Sequence, residues 1–133
     1  MQMSCDQNNC CECGQQCGTL PKKMNKEQFR QFREGVFNRI HEKMEQKNSD
    51  YTAGSSVFAN FEMTESIGIK PINGLLIRFL DKVQRLKSFA INGKLEVTGE
   101  GVTDAWEDII GYSFIALGLL WEAEQKENTE KGD

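Results

Sequence analysis

Three acids at helical spacing, Glu100, Asp104 and Asp108, surround the start of an apolar run, with Glu107 alongside. All four fall on one strip of a helix, and like charges at that spacing destabilise it unless something neutralises them. Burying ionised carboxylates without a partner is costly, so a bound cation or facing Lys and Arg must compensate. Mg²⁺ is the natural cation, since it takes oxygen ligands and bridges to phosphates. The competing reading is that these acids sit in water and favour the positive N-terminal end of the helix dipole.

Arg78, Asp81, Lys82 and Arg85 form a complementary strip upstream. Arg forks onto phosphate oxygens and Lys acts as a point charge, whereas a solvated face with an internal Asp81 to Arg85 pair is the plain alternative. The segment Lys47-Asn48-Ser49-Asp50-Tyr51-Thr52-Ala53-Gly54 gathers turn residues around one aromatic that could stack on a base or cap a pocket. Glu42-x-x-Glu45 matches a carboxylate pair that helical pyrophosphatases use for metal, but both residues point away from the apolar stripe of their helix and read as solvated acids. His41, the only histidine, has no Ser, Cys or second His positioned to form a nucleophilic relay. Neither standard phosphate-binding Gly loop is present in the sequence.

The elements that must position these residues are helical. A first helix is expected from Asn25, an N-cap with Gln28 at the capping-box spacing, to about Lys47, with Phe29, Phe32, Val36, Ile40 and Met44 as its apolar stripe. A long connection, Asn48 to Gly74, carries Val57, Phe58 and Phe61 as apolar anchors, and such a segment is functional or partly helical. A second helix over Leu75 to Ala90 has a broad apolar face, and the Asn92-Gly93 pair within Ile91 to Gly101 signals a turn or very short β-hairpin. The third helix begins near Thr103 and is apolar nearly all round from Ala105 to Trp121, which predicts burial in its own core or between subunits. Glu122 to Asp133 reads as a charged tail that frays into solvent. The fold class is thus all-α, an oligomeric bundle of three to five helices.

With 133 residues there is room for one core. The division is a Cys-rich appendage over residues 1–24, a helical nucleotide-binding domain over 25–122, and a charged tail over 123–133. All five cysteines lie in the first 17 residues, and a disulfide framework is not expected. Cys5, Cys10, Cys13 and Cys17 could hold Zn²⁺, although the spacing leaves no room for a knuckle between pairs, and a thiol-rich tail is the preferred reading. No apolar stretch is long enough for a bilayer and the N-terminus has no secretory pattern, so a cytoplasmic location, in a bacterium or a phage-infected host cell, is the expectation. A net charge of −4 with scattered Lys and Arg argues against gripping a nucleic-acid backbone.

Taken together, Lys47-Asn48-x-Asp50-Tyr51, Val57-Phe58-x-Asn60-Phe61, Arg78-x2-Asp81-Lys82-x2-Arg85-Leu86 and Asp104-x3-Asp108-x3-Tyr112 resemble a family often found in phages. It is the nucleotide-modification-associated domain family, similar to the MazG-like all-α nucleoside triphosphate pyrophosphatases, and the resemblance covers roughly residues 36 to 121. It implies a helical bundle assembling into dimers or tetramers, with acids holding Mg²⁺ against nucleotide phosphates and metal-activated water releasing pyrophosphate. On that reading Asp104 and Asp108 are catalytic metal ligands, Asp81 a third ligand or orienter, and Glu100 and Glu107 reserve acids. Lys82 and Arg85 contact phosphate, Tyr51 or Tyr112 line the pocket, and Lys47, Asp50, Asn60 and Arg78 complete the nucleotide site. The paired signature of Glu-x-x-Glu facing Glu-x-x-Asp is incomplete, which weighs on hydrolysis more than on nucleotide binding.

Three functions follow as expectations. A Mg²⁺-dependent nucleotide pyrophosphohydrolase predicts turnover that vanishes with chelator and with Asp104→Asn or Asp108→Asn. A binding module that sequesters nucleotide predicts stoichiometric uptake and recovery of intact ligand. A structural oligomer predicts no nucleotide-dependent change in melting temperature.

Overall fold

The computed structural model describes residues 23–52, 56–95 and 101–132. The N-terminal cysteine segment and residues 96–100 of the expected hairpin, Glu100 among them, lie outside the described residues, as does the side chain of Tyr51. The described chain is all helical: α1 (Lys26–Thr52), α2 (Ala59–Glu62) with a 3₁₀ turn at Met63–Ile67, α3 (Pro71–Asn92) and α4 (Val102–Lys131). No strand occurs among the described residues.

Asn25 and Gln28 start α1 with a reciprocal capping box. The Asn25 Oδ1 accepts the Gln28 N–H at 2.8 Å, and the Gln28 Oε1 accepts the Asn25 N–H at 3.0 Å. This satisfies backbone donors that a helix start otherwise leaves without partners. The helix does not stop near Lys47 but continues to Thr52. Its last turns are made of indifferent helix formers, and contacts of Lys47 and Asn48 with the other helices override that local preference.

Pro71 opens α3 at a position where its missing N–H costs nothing, behind an extended Lys70. Gly74, expected to end the connection, is buried inside the helix. A Cβ there would lie 2.8 Å from Thr64 Cγ2, so glycine lets the 3₁₀ turn pack directly on the helix. At the other end Gly93 adopts φ 72° and donates its N–H to the Phe89 carbonyl at 2.7 Å. The Asn92-Gly93 pair is therefore a helix stop with a left-handed residue after it, not the centre of a hairpin turn.

α4 is the longest element, 30 residues or about 45 Å, and its N-cap is Gly101 rather than Thr103. The charged segment expected to fray is helical through Lys131, with good helix formers and a Glu127–Lys131 pair at 3.9 Å. α4 packs against α3 and α1, and its small residues Ala105 and Gly111 are buried. Phe58, ahead of α2, presses on Gly118, where a Cβ would meet the ring at 2.6 Å.

The core is small. Among the described residues Ile40, Phe61, Leu75 and Ala105 are the buried apolar side chains, and Phe29 and Phe32 of the expected α1 stripe are exposed. On α4, Trp106, Ile110, Phe114, Leu117 and Trp121 recur at i, i+4, i+8, i+11 and i+15, each more than a third exposed. Of the two placements expected for the apolar third helix, its own core does not supply the cover for this stripe. Phe37 of α1 joins it by an edge-to-face contact with Phe114, centroids 5.7 Å apart. No helix among the described residues is long and apolar enough to cross a membrane.

Candidate functional site

The first turns of α4 project acids toward α1, and α1 answers with cations one helical turn apart, Arg39, Lys43 and Lys47. Glu107, only 6% exposed, receives Arg39 Nε at 2.8 Å and Lys43 Nζ at 2.5 Å. Arg39 first and Lys43 second hold the Glu107 carboxyl below the ordinary glutamate range, against the opposing effect of burial. The same contact pushes the Lys43 ammonium above its ordinary range. Asp104 accepts the Gly101 N–H at 2.9 Å, the main reason its carboxyl is held low, and Lys43 stands 3.6 Å away. Since Gly101 has no side chain, this is half of a capping box.

Asp108 stands between two lysines. Lys82 of α3 approaches Oδ2 at 2.9 Å, and Lys47 of α1 lies 3.6 Å from Oδ1. Three helices thus meet at one carboxylate. Of the two compensations available to the acid strip, a bound metal or facing lysines and arginines, the lysines and an arginine are present.

Beside this cluster lies a pocket of about 260 Å³, formed by α1, the α2 region, α3 and α4. Lys47, Asn60, Arg78 and Tyr112 line it, joined by Phe61 and Asn48. Arg78 holds its guanidinium 5.9 Å from the Phe61 ring centroid, a cation–π contact that orients the fork. A more open cleft of about 340 Å³ is lined by Lys43, Lys47, Lys82, Asp104 and Asp108. Lys47 borders both cavities.

No protein-family model, curated protein or solved structure matches the chain.

Of the residues singled out in the sequence, Lys47, Asn60, Arg78 and Tyr112 share the pocket, and Lys82, Asp104 and Asp108 share the cleft. Asp50 lines a shallow surface depression with Glu45, Gln46 and Ser49 instead. Asp81 is exposed on α3, outside the ion pairs of the cluster, and the half-buried Arg85 borders neither cavity. Glu42 and Glu45 are exposed, as expected of solvated acids, although Glu45 reaches the pocket rim. Arg39 and Lys43 join the site from outside the sequence-predicted set, and Glu107, expected as a reserve acid, is the most buried acid among the described residues. Their signal in the sequence is the Arg39-x3-Lys43-x3-Lys47 spacing, which mirrors that of the acids.

Magnesium is commonly held by one or two carboxylates together with phosphate oxygens. Here Asp104 and Asp108 are the candidates, and each already faces a lysine ammonium. Four cations, Arg39, Lys43, Lys47 and Lys82, stand against three carboxylates, so the cluster carries an excess of positive charge. Among the described residues no three His, Cys, Asp or Glu side chains could together hold a metal. Among the described residues, a Mg²⁺ at Asp104 and Asp108 would have to displace lysine ammonium groups, whereas an anion gains from those lysines.

Proposed function

We propose that this chain binds a phosphorylated nucleoside and holds it without hydrolysis. The observation that carries the reading is the pocket bringing Lys47, Asn60, Arg78 and Tyr112 together from four parts of the chain. Arg78 and Lys47 offer a fork and a point charge for phosphate oxygens. Asn60 offers a donor and an acceptor to a base or sugar, and the half-buried Tyr112 offers an aromatic ring for stacking. At about 260 Å³ the pocket lies just below the range of drug-sized ligand sites and has room for a nucleoside, with its phosphates directed toward Lys47 and the cationic cleft. The resemblance to the phage nucleotide-modification-associated family points to the same ligand class.

Hydrolysis is the second reading, supported by the adjacency of Asp104 and Asp108 to Lys47. It requires those carboxylates to exchange lysine for metal. Incubating the protein with nucleotides and Mg²⁺, followed by chromatography of the recovered ligand, separates the two: intact ligand supports holding, and released pyrophosphate supports cleavage.

The same reading includes self-association through the α4 stripe. Trp106, Ile110, Phe114, Leu117 and Trp121 at their observed exposures leave on the order of 500 Å² of apolar surface in water, since large aromatics each carry about 150–250 Å². That lies in the upper part of the roughly 300–600 Å² that a monomer's largest apolar patch reaches, often at a functional surface, and supplies more than half of the ~800 Å² per partner of a standard interface. A second copy is the proposed occupant, because the described residues bury only four apolar side chains among themselves and gain most from covering that stripe. Sedimentation velocity tests it: a dimer or larger supports the interface, and a monomer at micromolar concentration removes it.

A further inference from the structure

We propose that Asp108 stands in for ligand phosphate at Lys47, so that binding a phosphorylated ligand transfers the Lys47 ammonium from this carboxylate to the ligand. This rests on the nucleotide-binding reading above and adds to it the residue that sets affinity.

Three observations carry it. Lys47 borders both the nucleoside-sized pocket and the cationic cleft, so its ammonium can serve either. Its contact with Asp108 is long, 3.6 Å, and its side chain is 64% exposed. The other Asp108 oxygen is held by Lys82 at 2.9 Å, with a side chain only 19% exposed. The carboxylate therefore keeps a close partner when Lys47 leaves, and no charge is stranded. A phosphate oxygen carries more charge than half a carboxylate and accepts from lysine in the same way, so the exchange is favourable once a ligand occupies the pocket. Asp108 also preorganises the free protein, since without it Lys43, Lys47 and Lys82 would crowd one cleft with less opposing charge.

The role separates from that of a metal ligand by sign. A carboxylate that holds Mg²⁺ against phosphate strengthens binding, and its loss weakens it. A carboxylate that competes with phosphate weakens binding, and its loss strengthens it. Exposed lysine–carboxylate pairs are worth about 0.2–1 kcal/mol, which corresponds to roughly a 1.5- to fivefold change in affinity.

The test is calorimetric titration of the full chain with ATP, the four deoxynucleoside triphosphates and inorganic tripolyphosphate, with and without Mg²⁺. In Asp108→Asn, the ligand that wild type binds should bind about two- to fivefold more tightly, while the ligand-free protein melts at a lower temperature because the Lys82 pair is lost. In a Lys47→Met background the same change should give no gain, which a merely structural role of Asp108 would not predict. Asp108→Ser serves if the Asn variant does not fold. Weaker or unchanged binding in the Asp108 variants of a protein whose wild type binds overturns the exchange and leaves the nucleotide site standing. Wild type that takes up none of these compounds overturns both.

Discussion

Replacing Glu107 by glutamine keeps its shape and removes its charge, which isolates the contribution of the α1–α4 ion cluster. Three charge-assisted hydrogen bonds converge on this carboxylate, two from Arg39 and one from Lys43. Each such bond contributes about 1.5–3 kcal/mol when shielded. Arg39 and Lys43 are nearly half exposed and can turn to water, so the full penalty of a stranded buried charge does not apply. The glutamine Oε1 still accepts from Arg39, while its amide N–H₂ is directed toward the Lys43 ammonium. The net loss is about 2 kcal/mol, or roughly 8 °C in melting temperature for a domain of ~100 ordered residues. Circular dichroism melts at fixed protomer concentration measure it. The pH dependence gives a second readout. The Glu107 carboxyl is held low, so its contribution is complete above the unfolded value of about 4.3 and is lost as pH falls through the folded value. Asp104 acts in the same direction. Lys43 is pushed up, so its contribution is complete below about 10.4 and is lost as pH rises through its folded value. Wild type should therefore be flat between about pH 5 and 10, and Glu107→Gln should have a shallower acid limb. A melting temperature within 1 °C of wild type, with the acid limb unchanged, would refute the reasoning.

Other predictions concern the pocket, the packing and the interface. Arg78→Ala should weaken nucleotide binding about tenfold or more through loss of its phosphate fork, as measured by calorimetry, with little change in the melting temperature of the free protein. Gly74→Ala should destabilise by ~1 kcal/mol or more despite alanine's helix preference, because the new methyl meets Thr64 Cγ2, which hydrogen bonds to the Phe61 and Ile69 carbonyls hold in place. Thr64→Ser should restore most of that loss in chemical denaturation, since it deletes the methyl and keeps both bonds. Leu117→Asp should lower the association state in sedimentation velocity, and an unchanged state would place the interface elsewhere.

What could be read from the sequence divides by range. The capping box at Asn25 and Gln28 is a rule within four residues, and it holds to hydrogen-bond detail. Asn92-Gly93 carried a valid local signal, the need for a left-handed residue, but a hairpin turn and a helix end both require one, and only the long α3 decides between them. α1 outran its local signals because the partners that hold its last turns, Asp108 and the α2 region, are distant in sequence. For the site, the acid strip required compensation, and the choice between metal and basic side chains depended on what faced it. Arg39 and Lys43 lie 68 and 64 residues from Glu107, a separation that no spacing rule spans. Lys47, Asn60, Arg78 and Tyr112 could be named one by one, whereas their meeting in one pocket, without Asp50 or Asp81, required the packed helices.

The most direct test of the central claim is a thermal-shift screen of the purified protein against nucleotides at millimolar concentration, with and without Mg²⁺, followed by chromatography of each stabilising ligand. Ligand at a hundredfold excess over its Kd stabilises by about 2.7 kcal/mol, a shift of several degrees. At least one nucleotide should raise the melting temperature without Mg²⁺ and be recovered intact when Mg²⁺ is present. No shift with any nucleotide would contradict the binding site, and recovery of a cleaved nucleotide would contradict holding without hydrolysis.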